Sequence, residues 1–362
     1  MKKINVYEHY FTESEKEICS FKSLSATLFT YKTGVKAIKI KNSKGSATIL
    51  PYMGQMVWRA DFNGVELAMK SIYSDPIPVT GSYSGSYGCF IMHCGLTAMG
   101  NPTERDNHPP HGELPIAKYD SVCILFGNDE GGNYIAVSGT YSHKFCYETN
   151  YDFTPTIKLY ENQTNLKITA SFTNNKDVPL EYYYLCHINH KPVDGAKLLY
   201  TADRKTIKVN KEVPDSYWDK QGAIATEKYL DALEKDASLM DNVGGENQAY
   251  KPEIVFSMKY TADEKDKAYT MQLNPNGTAI YVIHNPKDLP VGTRWISRTE
   301  DEDAMGMVLP ATAEHFGRTY CKEHNQQRYL NKGQTVTYTM ETGLLDVDQA
   351  KEMADKIKSM GF

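Results

Sequence analysis

The chain has 362 residues, a formal net charge of −5 and 41% hydrophobic residues, enough to bury a large core. Its 40 Lys and Arg residues are scattered rather than gathered into a basic stripe, which argues against nucleic acid as a partner. Seven cysteines, odd in number and without a C-x-x-C pair, argue against a zinc ribbon and a disulfide scaffold, and no apolar run approaches the ~20 residues of a membrane helix.

The start, MKKINVYEHYFTESEKE, carries two lysines but no apolar signal core, so a reducing, cytoplasmic setting is expected. Period-two alternation then dominates. Residues 36–54 read as a strand, a Ser-Lys-Gly turn and a second strand, and Asn63-Gly64 is a hairpin signal. Similar units recur near residues 121–141, 154–175, 268–286 and 334–347, rich in Val, Ile, Thr and Tyr. Strands at this spacing, with few helices between, predict an all-β sandwich of antiparallel strands. Two helices interrupt it. One spans 224–240 within a charged insertion at about 211–252; the other covers about 347–360, with Val347, Ala350, Met353, Ala354 and Ile357 on one face. Asp346 or Asp348 can cap the latter and Gly361 can stop it. One domain, 1–362, with N-terminal strands in 1–50, is the simplest expectation.

Four segments could carry chemistry. Residues 87–120 gather His93, His108, His111, Glu104, Arg105, Asp106 and Glu113, and the two prolines before His111 with Gly112 after it predict a sharply turned loop. The second is an aromatic strand, Leu180 to Leu185, that leads into His187, Asn189 and Lys191 on one face, with Ile188 and His190 on the other. His187 suits a general acid, since imidazole titrates near neutrality; a core histidine bonded to a carbonyl is the alternative. In the third, residues 292–316, Arg294 offers a fork of donors for a sugar, whereas the acidic run Glu300 to Asp303 reads as a solvated turn. The fourth adds Glu314, His315, Glu323 and His324. His93, His111, Glu113 and His187 could form a metal set, though no compact spacing supports one, so no cofactor is expected. GSYSGSYG lacks the Lys-Ser/Thr of a phosphate loop.

Taken together, C-G-L-x-x-x-G (Cys94 to Gly100), H-G-E-L-P (His111 to Pro115), H-I-N-x-x-P-V-D-G (His187 to Gly195), R-W-I-x-R-T (Arg294 to Thr299) and L-P-A-T-A-E (Leu309 to Glu314) resemble a family of the galactose mutarotase-like superfamily. That family is related to aldose 1-epimerases and was long labelled only as a domain of unknown function; the likeness runs from about residue 45 to 346. It implies a β-supersandwich with an open cleft for a monosaccharide or sugar derivative, in a monomer or homodimer. It also implies that His111 holds the sugar and His187 protonates the ring oxygen, while a carboxylate near the C-terminus takes the anomeric proton. The strand glutamate usual there is missing, since the chain reads Val308-Leu309-Pro310-Ala311-Thr312. Glu314 or Glu323 is the expected substitute base, with Glu253 loosely matching a sugar-binding acid and His93, Arg294, Glu113 and Asn189 as supporting contacts. Two other readings remain: isomerisation at another carbon, with or without a metal, and sugar binding without turnover.

Overall fold

A strand with alternating side chains hides only one face, so such strands must stack as sheets. The computed structural model describes residues 1–213, 217–245 and 247–362, and in it two antiparallel sheets pack face to face. Among the described residues the first sheet has nine strands. It runs from Lys2–Val6 through Ser121–Asp129, Gly132–Phe145, Thr149–Tyr160, Asn165–Asn174 and Thr335–Leu345 to the Ala279–His284, Ala268–Leu273 and Lys197–Tyr200 strands. The second has thirteen, with Ile254–Met258, Val291–Arg298, Asp303–Ala311, Leu180–Ile188, Ile91–Leu96 and Met56–Phe62 adjacent at its centre. The sandwich of antiparallel strands expected from the sequence is the observed fold.

The turn chemistry explains the hairpins. Asn63 and Gly64 both take positive φ (51° and 77°), and Phe62 pairs directly with Val65, as a two-residue type I′ loop requires. The helices fall at Lys220–Lys235, capped by Asp219, and at Val347–Ser359, where Asp346 and Gln349 form a capping box. The latter buries Ala350, Ala354 and Ile357 against the first sheet; Val347, expected on that face, is 54% exposed. Residues 214–216 and 246 of the expected insertion lie outside the described residues. No described helix is long and apolar enough to cross a membrane.

The second sheet is apolar on both faces, and side-chain parity decides what each residue meets. One face, carrying Ile91, Tyr184, Cys186, Ile188 and Ile296, packs on the first sheet around Phe153, Phe172 and Tyr338. The other carries Met92, Cys94, Leu185, Trp295 and Leu309, with Tyr83 and Tyr87 laid over it from a long loop. Two expectations fail on this parity. His93 points between the sheets, where Nδ1 bonds the Tyr184 hydroxyl at 2.8 Å, and Phe153 packs on its ring. Arg294 is also turned inward and fully buried. Its Nε donates to Met307 O at 2.7 Å, beside the register shift between Thr293 and Trp295, and the guanidinium lies 4.4 Å from the Tyr200 ring. Both are therefore parts of the sandwich interior.

Candidate functional site

On the outer face a cleft of about 320 Å³ opens above the ends of the central strands, near the lower limit of small-ligand sites. His187, near the end of Leu180–Ile188, has the parity to enter it. Its Nδ1 lies 2.6 Å from Asn189 Oδ1, and Asn189 Nδ2 donates to Cys89 O at 3.0 Å, which fixes the amide's orientation. Neutral His187 therefore keeps its proton on Nδ1 and turns Nε2 to the cleft. Burial pulls its pKa down to about 4, against a smaller opposing effect of the Asn189 bond. Asn189, expected to touch sugar, instead orients His187.

The His111 loop turns as sharply as its sequence implies. His111 and Gly112 have φ of 60° and 76°, and a Cβ on Gly112 would lie 2.3 Å from Gly95 O. His111 N donates to Gly100 O, and Gly95 N to His111 O, both at 2.8 Å. Glu113, from the same loop, points away from the cleft. It accepts from Thr97 N and Oγ1 (3.1 and 2.7 Å) and from the Tyr151 hydroxyl, and so ties the loop to the sandwich. The loop thus brings the His111 ring to 5.5 Å from His187, centroid to centroid. His315, from the segment after Asp303–Ala311, lines the same cleft. Among the described residues His111 Nδ1, both ring nitrogens of His315 and Thr293 Oγ1 are buried without a hydrogen-bond partner. Each of these residues lines the cleft. Burial holds both imidazoles below their usual pKa, His315 at about 4.

Two carboxylates complete the lining, and neither is one of those expected as the base. Glu253 sits at the mouth of Ile254–Met258 and accepts from Trp295 Nε1; the Trp295 ring stands 5.4 Å from His187. Glu302 ends the tight turn between Val291–Arg298 and Asp303–Ala311, where Thr299 N bonds its carbonyl at 2.8 Å. Desolvation raises both pKa values, and for Glu302 the charges of Asp301 and Glu253 add to it. The acidic run was expected to be a solvated turn; Glu302 is the member that turns inward. Leu309 lines the wall at the position where a strand glutamate was missed.

Glu314 and Glu323 are held elsewhere. Glu314 is 4% exposed and accepts from Gln326 Nε2 (2.7 Å), Ser257 Oγ (2.9 Å), the Tyr320 hydroxyl (3.1 Å) and Lys208 Nζ (3.3 Å). Burial alone would raise its pKa, but these partners together hold it below the ordinary value. Glu323 stands on the exposed end of the Gly317–Glu323 helix in a bidentate pair with Arg105, at 2.6 and 3.0 Å. Neither lines the cleft. The suggested metal set does not converge, because His93 and Glu113 are turned into the sandwich; no cluster of three or more metal-binding side chains occurs among the described residues. Glu302, Trp295, Tyr83 and Tyr87 were missed as site residues, while His315, named in the fourth segment without a role, does line the cleft.

The model of a family described as "Domain of unknown function (DUF4432)" matches residues 32–344. No curated protein matches significantly. Among solved structures, a Klebsiella pneumoniae protein described as a suspected aldose 1-epimerase superposes with a TM-score of 0.81 at 16% identity, over 99% of this chain and 95% of its own. Galactose 1-epimerase of Lactobacillus acidophilus gives 0.52 at 12% identity, over 95% and 98%. A galactose mutarotase-like protein of Lactobacillus casei gives 0.53 at 14%, over 85% and 99%. At these identities the likeness carries the fold.

Proposed function

The chain belongs to the DUF4432 family, described only as a domain of unknown function, and for it we propose a carbohydrate-active enzyme that interconverts sugar anomers by proton transfer between His187 and Glu302. The observation that carries this reading is the convergence, in one partly closed cleft, of an oriented imidazole, an unbonded carboxylate and several polar atoms without partners.

Exchange of anomers needs one proton delivered to the ring oxygen and one removed from the anomeric hydroxyl. The C1–O5 bond breaks, the open aldehyde turns about C1–C2, and reclosure reverses both transfers. His187 Nε2 supplies and recovers the first proton, and the Glu302 carboxylate takes and returns the second. Burial lowers the His187 pKa to about 4 and raises that of Glu302, so the two groups titrate as a pair whose resting form keeps the proton on Glu302. The reacting form is the tautomer that carries it on His187 Nε2 with Glu302 ionised. His111 and His315 offer ring nitrogens to the sugar hydroxyls, and Trp295 with Tyr87 offers an apolar wall for a ring face. Such acid–base assistance contributes about 10²–10⁴-fold.

The test is anomer exchange followed by polarimetry or NMR with freshly dissolved aldoses, ketoses and amino sugars. Acceleration of at least one sugar is expected; none across the panel overturns the proposal.

A further inference from the structure

Among the described residues, two carboxylates and no cation, neither Lys nor Arg, line the cleft. The cations nearest in sequence are already committed: Lys251 to Glu300, with Asp219 at 3.8 Å, and Arg298 to Asp303 and Asp194 at 2.7 and 2.6 Å. Partly buried carboxylates are ordinarily paired with a cation or a metal, and these two face each other's charge instead. The wall beside them is aromatic. Tyr83, Tyr87 and Trp295 all line the cleft; Tyr87 is centred 5.3 Å from Tyr83 and 5.9 Å from Trp295. His315, 8% exposed and with both ring nitrogens unpartnered, adds an uncharged polar wall that puts no competing cation into the site. Carboxylates among electron-rich rings form the chemistry that selects an ammonium group.

We infer that the cleft is built for a sugar bearing a protonated amine, with the ammonium on Glu253 and against the Trp295 and Tyr87 rings. This rests on the sugar-site reading above and names its substrate class. Glu253 suits the binding role because Trp295 Nε1 fixes its carboxylate, whereas Glu302 has no side-chain hydrogen bond among the described residues and is left for proton transfer. The same lining disfavours uronates and sugar phosphates, whose anions would join two carboxylates with no compensating cation.

Binding tests this without any need for turnover. Titration calorimetry or NMR shift mapping would compare glucosamine, galactosamine and mannosamine with their N-acetyl derivatives, the parent hexoses and the hexuronates. At least one amino sugar is expected to bind about tenfold or more tighter than both its parent and its N-acetyl form. N-acetylation removes the charge and needs no variant protein. E253Q is expected to erase the preference. Amino sugars that bind no better than their parents, or not at all, overturn the inference, as does a preference that survives E253Q in a folded protein. Preference without anomer exchange leaves this inference standing and sinks the catalytic proposal; exchange without preference does the reverse.

Discussion

Asn189→Asp tests how the cleft sets the protonation of His187. In the native protein the imidazole donates Nδ1–H to a neutral amide oxygen at 2.6 Å, and burial keeps its pKa at about 4. An aspartate at the same place sets a negative charge within hydrogen-bond reach of the ring. At an effective dielectric constant of about 20, unit charges about 4 Å apart attract by about 4 kcal/mol, or about three pKa units. His187 in Asn189→Asp should therefore titrate near about 7 rather than about 4. The substitution also removes the donor to Cys89 O, which costs about 1–3 kcal/mol of stability. Histidine ring NMR as a function of pH reads the first effect, and urea unfolding reads the second. If the His187 resonance in the folded variant still titrates near 4, burial alone governs this group and the role given to Asn189 is wrong.

Other consequences concern the whole molecule. His93, His190 and His284 are held at about 3 and His187 and His315 at about 4, all by burial. The unfolded chain binds protons at these sites below about 6.5 while the folded chain does not, so stability is full above that pH and falls as pH is lowered. At pH 5 each costs up to about 2 kcal/mol, and the urea midpoint should drop between pH 7 and 5; an unchanged midpoint would contradict the burial argument. Glu323→Ala breaks an exposed pair with Arg105 and should leave the urea midpoint nearly unchanged, with sugar affinity unaltered. A large loss of affinity would return Glu323 to the site. Arg294→Met removes a fully buried guanidinium of which, among the described residues, only Nε has a hydrogen-bond partner; stability within about 1 kcal/mol of the parent and unchanged sugar affinity are expected. Loss of affinity in a folded Arg294→Met protein would place this residue back at the cleft.

Local rules made the fold readable. Asn63-Gly64 specified its own turn, Asp346 its own helix cap, and the alternation of Val, Ile, Thr and Tyr the antiparallel sheets. His187 and Asn189 were correctly placed on one strand face because the period of two operates within a single segment. The site beyond them was harder to see because it depends on which face of each strand looks outward. A sheet buried on both sides shows no polar face to declare it. His93 and Arg294 thus looked as available as His187, although each sits at the opposite parity. Glu302 was obscured for another reason. It belongs to a run of four acidic residues, and only the turn at Thr299 decides which of them points inward.

The most direct trial of the account compares anomer exchange in Glu302→Gln and Glu314→Gln, both shown folded by circular dichroism, on a sugar the parent protein turns over. Glu302→Gln should lose about 100-fold or more, because the amide cannot accept the anomeric proton, while Glu314→Gln stays within a few-fold of the parent. Full activity in Glu302→Gln, or a selective collapse in Glu314→Gln, would contradict the assignment of the cleft carboxylate.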